Sequence, residues 1–380
     1  RKMRERIQDK LLSVRDAQKD IEKIRGAIED AANVYRRENL MHGRVGDQRD
    51  KLQDTHVKPL IEAMAEAKVS PALLEDYLEA RHAKERNEKI AATKGGMPDG
   101  ASGMTTAQAE DFLQGRAAGH RSGVTLDPAM TRQVSRLARK VYAVTAETRR
   151  RLLDSGQITQ EAFDALENAY AAYVPLRGKD GTEGGKARGT GKGIDVRGKP
   201  VLRAAGRGEG NRAQNILAEV IADAERSIIN AEKLRVGRTL ARLVLENPNP
   251  DVWAIEPVKT ELKVSEGTPE EIYEAVKNLD QEEGTIIVKV KGKPYRIVIE
   301  DQRMADALKN MAVETVPEVI QYVAALNRYF SAVLTRYNPS FVGVNMTRDL
   351  LFGMTGIWAE HGTAAAAKAA ASYFPAMRAA

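Results

Sequence analysis

The chain has 380 residues, of which 42% are apolar and only 5% aromatic, and it contains no cysteine. This length suffices for two or three small domains, and the lack of cysteine excludes disulfides, thiolate metal sites and thiol nucleophiles within the chain. The net charge of +6 is modest for a chain of this size. Alanine, leucine, glutamate, lysine and arginine are abundant and favour helix, so we expect a mainly α protein with an aliphatic core.

Apolar residues recur at steps of three and four through residues 1–40, which predicts one long amphipathic helix that ends at HGRVGD (42–47). Its apolar stripe would pack either against a partner, as in a coiled coil, or against later helices of the same chain. The chain begins at Arg1 with a charged pattern and no signal-peptide core, so we expect a fragment of a longer protein. No apolar run approaches the roughly 20 residues of a classical transmembrane helix.

A charged helix is predicted around YLEARHAKERNEKIA (77–91). Ser70 would cap its start and Pro71 fits its first turn. The glycines and proline of GGMPDGASG then end it. Thr105 and Gln108 have the spacing of a capping box, so we expect a second helix directly after this break.

Within the charged helix, His82 and Glu85 have the three-residue spacing of ligands in helical-bundle metal sites, but no second such pair accompanies them. We therefore interpret this stretch as a solvated surface helix with ion pairs at four-residue spacing. The neighbouring acids are interpreted in the same way, as solvent-facing side chains: Glu75, Asp76 and Glu79.

Further helices are predicted at 127–153, 159–171 and 212–246. Between the last two, residues 177–214 contain eleven glycines, ten basic and four acidic residues, an excess equal to the net charge of the whole chain. So little apolar surface cannot offset the entropy of ordering, and we expect a flexible loop. Its glycines lack the strand and the Ser or Thr of a phosphate-binding loop. Five basic residues are candidates to neutralise nucleic-acid phosphates, the alternative being a solvated insertion: Lys186, Arg188, Lys192, Arg197 and Lys199.

A small α+β unit is predicted next, with a β-hairpin near 284–300 that turns at Lys291 and Gly292. An apolar helix is predicted near the C-terminus, within NPSFVGVNMTRD and beyond. Four of its residues are candidates for docking onto another part of the protein or for contacting a membrane: Phe341, Asn345, Arg348 and Asp349. The expected fold is mainly α, an extended multi-helix region with a small α+β insert. The expected regions are 1–176 (helical, with the long N-terminal helix), 177–211 (the loop), 212–249 (helical), 250–302 (α+β) and 303–380 (C-terminal, helical).

The residues indicate no reaction. The five histidines are scattered, and neither a zinc-hydrolase motif nor a nucleophile elbow occurs. We therefore predict no catalytic residue, no metal ligand and no cofactor. An enzyme whose site is assembled from scattered residues remains an alternative.

Several stretches together resemble one family: YLEARHAKERNEKIA followed by MPDGASGMTTAQAEDFL, AAYVPLRG (171–178), and NPSFVGVNMTRD (338–349). They resemble segments of the internal virion (ejection) proteins of bacteriophages, and of the related large polyvalent proteins that phages and conjugative elements deliver with their DNA. The resemblance implies a protein packed in the phage head near the portal and expelled at infection. It brings no catalytic residue with it.

Two functions are therefore expected. The first is a structural and delivery component of a virion, located in the virion interior and, after ejection, in the host envelope or cytoplasm. Its implied partners are further copies, portal or internal core proteins, double-stranded DNA and the host membrane. The alternative is a polyvalent antirestriction-type protein that is co-injected with phage or plasmid DNA and binds it through the basic loop.

Overall fold

The computed structural model describes residues 11–92, 99–176, 212–213, 215–258 and 284–309. These residues are mainly helical and include a small three-stranded antiparallel sheet, which confirms the predicted fold class. The helices are α1 (Leu12–Arg25), α2 (Val34–Asn39), α3 (Met41–Leu52), α4 (Lys58–Glu66), α5 (Pro71–Ala91), α6 (Thr106–Leu113), α7 (Pro128–Asp154), α8 (Gln160–Ala169), α9 (Ile216–Glu246) and α10 (Gln302–Lys309). The strands are β1 (Trp253–Pro257), β2 (Thr285–Val290) and β3 (Lys293–Ile299), and a π-helical turn (Gln53–Val57) joins α3 to α4.

The single helix predicted over residues 1–40 is wrong in its described part. Helix α1 ends at Arg25 because Gly26 has a φ of +88°, a conformation that glycine adopts without steric cost. The chain then turns, and Asn33 caps α2 by accepting a hydrogen bond from the N–H of Arg36. HGRVGD, which was predicted to end a helix, lies inside α3. Burial of neighbouring apolar side chains in this helix outweighs the helix penalty of about 1 kcal/mol for each glycine.

The predicted helix starts are confirmed in the middle of the chain. Ser70 accepts a hydrogen bond from the N–H of Leu73 at the start of α5. Thr105 and Gln108 form a reciprocal capping box at the start of α6. Thr159 caps α8 by accepting a hydrogen bond from the N–H of Ala162. These local signals therefore set the N-terminal starts of three helices.

Helix α9 lies at the centre of the described residues. It packs against α7, α3, α2 and strands β1 and β2, and it is buried around most of its circumference. One face of α7 is buried and contributes valine, leucine and alanine side chains to the contact with α9. The other face of α7 carries exposed residues. Helix α5 packs against α6 and α7. This arrangement places α5 beside the N-terminal end of α9.

The sheet has the strand order β1-β3-β2, with both pairs antiparallel. The predicted hairpin is confirmed: Val290 pairs with Lys293, and the turn uses Lys291 at φ +50° and Gly292 at φ +78°. The turn packs on the loop before α8, where the N–H of Gly292 donates to the carbonyl of Gly156 at 3.0 Å. The hairpin is thereby attached to the helical part of the protein.

Candidate functional site on helix α5

Helix α5 carries a row of polar side chains that are buried rather than solvated, so the predicted surface helix is wrong. Glu79 and His82 are 0% exposed and Asp76 is 3% exposed. These residues repeat at three-residue spacing and lie on one side of the helix. That side is covered by described residues from three other parts of the chain, at 119–122, at 170–173, and at 212–213 with 215–217.

An ionic cluster occupies the N-terminal half of this side; its members are Glu75, Asp76, Glu79, Arg121 and Arg212. Asp76 accepts hydrogen bonds from the backbone N–H of Arg121 at 3.1 Å and from the N–H and hydroxyl of Ser122, each at 2.9 Å. The guanidinium of Arg121 also donates to Asp76 at 2.8 Å. A single carboxylate therefore holds both the backbone and the side chain of the 119–122 loop.

The guanidinium of Arg121 lies between three carboxylates. It is 2.9 Å from Glu79 and 3.8 Å from Glu75, and it donates to the carbonyl oxygen of Ala213. Burial lowers the pKa of Arg121, but the charges and hydrogen bonds of Glu79 and Asp76 outweigh burial and raise it. Arg121 is therefore a permanent cation that compensates the buried acids.

Two acids of the cluster hold the segment that leads into α9. Glu79 accepts a hydrogen bond from the N–H of Ala213 at 2.9 Å, and Glu75 accepts one from the N–H of Leu217 at 3.1 Å. Leu217 lies in the first turn of α9, where the N-cap residue Asn215 makes no side-chain cap bond. Glu75 thus caps α9 from another helix by accepting one of its free N–H groups.

The pKa of Glu75 is raised above its ordinary value. Burial raises its pKa, and the charges of Asp76 and Glu79 raise it further, while the hydrogen bond from Leu217 and the charge of Arg121 only partly oppose this. The native protein consequently binds a proton on Glu75 more strongly than the unfolded chain does.

Next along α5, His82 is enclosed by aromatic rings. Its ring meets Tyr170 and Tyr173 edge-on, with centroid distances of 4.8 and 5.6 Å. Its Nδ1 atom is 3.6 Å from the carboxylate of Glu85, which also accepts a hydrogen bond from the N–H of Ala172 at 3.3 Å. Burial raises the pKa of Glu85, but its interaction with His82 and the hydrogen bond from the N–H of Ala172 outweigh burial and lower it. The 170–173 segment is thereby held on α5.

Asn87, one turn further on, organises the loop between α5 and α6. Its amide nitrogen donates to Asp99 at 2.7 Å and to the carbonyl of Met104 at 3.0 Å, and its amide oxygen accepts from the N–H of Ser102 at 2.9 Å. Asp99 in turn accepts hydrogen bonds from the N–H and the hydroxyl of Thr106. The DGASGM loop is therefore folded against α5 by a continuous set of hydrogen bonds.

These contacts define what the site can do. Its carboxylates accept hydrogen bonds from backbone N–H groups or pair with arginine, so the arrangement holds chain segments together rather than presenting a reactive group. In the described part of the chain, no group of three or more His, Asp or Glu side chains could hold a metal ion. Nor is any described helix long and apolar enough to cross a membrane.

The candidate residues predicted from sequence all lie outside the part of the chain that the structure describes. The basic residues Lys186, Arg188, Lys192, Arg197 and Lys199 lie outside the described residues. The same holds for Phe341, Asn345, Arg348 and Asp349. Both sets remain predictions.

One signal in the sequence could have revealed the ionic cluster. The apolar residues of α5 are distributed over more than half of its circumference, with Leu73, Leu78 and Ile90 on different sides. Such a helix is buried on several faces, so the acids between those residues need partners.

Comparison of the chain with protein-family models, with curated proteins and with solved structures finds no match.

Proposed function

We propose that the chain is a structural and delivery component of a bacteriophage virion. In this proposal it is an internal (ejection) protein that is packaged in the head and takes part in genome ejection or translocation across the host envelope. It would reside in the virion interior and afterwards in the host envelope or cytoplasm. Its partners would be further copies of itself and other virion proteins, such as portal or internal core proteins.

One observation supports this role: the described parts of two of the three stretches that resemble ejection proteins meet on α5, while the third, NPSFVGVNMTRD, lies outside the described residues. In the first stretch, Asn87 holds the DGASGM loop through Asp99. AAYVPLRG reaches the same helix through Tyr173, which packs on His82, and through Ala172, which bonds to Glu85. The described residues that carry the resemblance therefore form internal contacts, as expected of a scaffold.

The test is native mass spectrometry of the purified chain, with and without double-stranded DNA, at low and at moderate salt. A defined oligomer that forms whether or not DNA is present is the expected result. A monomer that binds DNA, and loses it steeply as salt is added, would exclude the assembly role in favour of the alternative.

The alternative is a polyvalent antirestriction-type protein that is co-injected with phage or plasmid DNA and binds it. It is favoured by the contacts of the described residues that flank the basic sequence 177–211. Ala172, before them, bonds to Glu85, and Ala213, after them, bonds to Glu79. These two acids are six residues apart on α5, about 9 Å along the helix axis. The residues on either side of a strongly basic stretch of sequence thus contact one short section of α5.

The alternative is tested by replacing the five candidate basic residues together with glutamine: Lys186, Arg188, Lys192, Arg197 and Lys199. The loss of these charges should weaken DNA binding and reduce its dependence on salt. Unchanged binding would exclude this stretch as the DNA contact.

A further inference from the structure

An exposed basic stripe runs along α7, outside the site on α5. Its members, called the α7 stripe below, are Arg132, Arg136, Arg139 and Lys140, and all four are exposed. At about 100° per residue they fall within an arc of roughly 100° on the helix surface. The opposite side of α7 carries Val134, Leu137, Val141 and Val144, which are buried. The packing of α7 therefore fixes the direction in which the stripe faces.

The α7 stripe has no acidic partners in the part of the chain that the structure describes. No aspartate or glutamate occurs between Asp127 and Glu147 in the sequence. Arg136 instead has basic neighbours at three- and four-residue spacing, namely Arg132, Arg139 and Lys140. Like charges at this spacing destabilise a helix, so the arrangement weakens α7 in the absence of an external anion.

Four exposed basic residues elsewhere in the described chain, by contrast, have acidic partners. Lys23 pairs with Asp20 at 2.7 Å, Arg36 with Asp30, Lys58 with Asp54, and Lys84 with Glu110. Arg150, which continues the line of the stripe toward the end of α7, also has a partner, Asp154. The absence of acids around the stripe is therefore a local property of α7.

We propose that the α7 stripe is a binding surface for the phosphate backbone of double-stranded DNA. Arg132 and Lys140 are eight residues apart, about 12 Å along the helix, a length that reaches several phosphates of one strand. On either side of the charges along the helix, the exposed face presents the small residues Ala129, Ala143 and Ala146, which let a backbone approach closely. Arginine donates two parallel hydrogen bonds to a phosphate, which suits three of the four positions.

The composition of the exposed face favours a duplex over other anionic partners. It has no exposed aromatic side chain, on which the bases of a single strand would stack. A helix bound at a membrane surface inserts large apolar side chains between the lipids, and the exposed face of α7 has none. The large exposed apolar residues of the described chain lie on other segments, at Ile24, Leu40 and Leu245. This inference does not depend on the oligomeric state by which the delivery role is tested.

The experiment compares three full-length variants for binding to a fluorescent duplex of mixed sequence, by anisotropy over a salt series. In the stripe variant, Arg132, Arg136, Arg139 and Lys140 are replaced by glutamine. In the matched control, the paired residues Lys23, Arg36, Lys58 and Lys84 are replaced by glutamine, which removes the same charge. In the loop variant, the replaced residues are Lys186, Arg188, Lys192, Arg197 and Lys199.

We expect the stripe variant to bind at least about tenfold more weakly at moderate salt, with the slope of log K against log salt reduced by about three to four. Its melting temperature should be equal to or higher than that of the wild type, because the repulsion within α7 is relieved. The matched control should retain most of the binding. This combination of weaker binding and undiminished stability distinguishes a binding surface from a structural one.

Other outcomes would overturn the inference. They are absence of DNA binding by the wild type at low salt, an unchanged salt slope in the stripe variant, and equal losses in the stripe variant and the matched control. Loss of binding in the loop variant alone would reject the stripe while preserving the DNA-binding alternative for the loop. Binding of the stripe to vesicles of phosphatidylcholine and phosphatidylserine, but not to the duplex, would assign it to a membrane instead.

Discussion

The carboxylate of Asp76 holds Arg121 twice, through the backbone N–H at 3.1 Å and through the guanidinium at 2.8 Å. The two residues are 45 positions apart in sequence, and both are largely buried. A buried carboxylate is stable only where hydrogen bonds and an opposite charge replace its hydration, and Arg121 supplies both. The fold around α5 therefore depends on this long-range pair as well as on apolar packing.

The first prediction concerns Asp76→Asn. An amide has only one acceptor oxygen, and its NH2 group would face the N–H donors of Arg121 and Ser122. It would also leave Arg121 with less compensation for its burial. We expect a loss of about 3 kcal/mol in the free energy of unfolding, measured by urea denaturation at neutral pH.

Asp54→Asn is the control for this experiment. Asp54 forms an exposed ion pair with Lys58, four residues away on the surface. Pairs of this kind contribute about 0.5 kcal/mol or less. Similar losses in the two variants would show that the burial of Asp76 has no energetic consequence.

The second prediction concerns Glu75→Gln and its dependence on pH. The pKa of Glu75 is raised, chiefly by burial, above the ordinary value of 4.5. The native state then binds more protons than the unfolded state once the pH exceeds 4.5, so the contribution of Glu75 to stability decreases as the pH rises through its native pKa. Glutamine keeps the acceptor for the N–H of Leu217 without the charge. We expect the variant to gain stability relative to the wild type as the pH rises from about 4.5 to neutrality.

Melting temperatures across this pH range would test that expectation. Glu62→Gln, on the exposed side of α4, controls for the removal of one negative charge. A difference between Glu75→Gln and the wild type that stays constant with pH, or that turns against the variant as pH rises, would contradict the assigned cause.

Local sequence signals predicted the elements that depend on nearby residues. The turn at Lys291 and Gly292 and the capping box at Thr105 each involve groups within a few positions of one another. The local amino-acid sequence is therefore enough to specify them. The end of α1 at Gly26 was missed because one glycine inside a regular apolar pattern does not show whether the helix continues through it. In α3, tertiary packing kept the glycines of HGRVGD helical.

The ionic cluster could not be derived from spacing alone. Acids at three- and four-residue intervals occur both on solvated helices and on buried ones. What distinguishes the two cases here is the presence of Arg121 and of the N–H of Ala213, which is 134 residues from Glu79. Partners so distant in sequence leave no local pattern, and only the apolar surroundings of α5 indicated that its acids are buried.

The third prediction concerns the loop held by Asn87. Asn87→Ala removes two donated and one accepted hydrogen bond that connect α5 to Asp99, Ser102 and Met104. We expect a loss of about 2 to 3 kcal/mol. Amide hydrogen exchange should accelerate in residues 99–106. Asn39→Ala, at an exposed position at the end of α2, is the control. Equal exchange in that loop for wild type and Asn87→Ala would exclude Asn87 as its anchor.

The fourth prediction concerns three glycines that differ in their surroundings. Gly43 and Gly46 lie inside α3 with no atom within 4 Å of an added Cβ, so alanine should stabilise the protein by about 0.5 to 1 kcal/mol at each position. At Gly119, a Cβ would lie 2.3 Å from a carboxylate oxygen of Asp76 and 2.4 Å from the hydroxyl of Ser122. Gly119→Ala must therefore displace the loop that Asp76 holds, and we expect a lower melting temperature. The three substitutions add the same atoms, so a uniform effect would show that the ionic cluster does not constrain its loop.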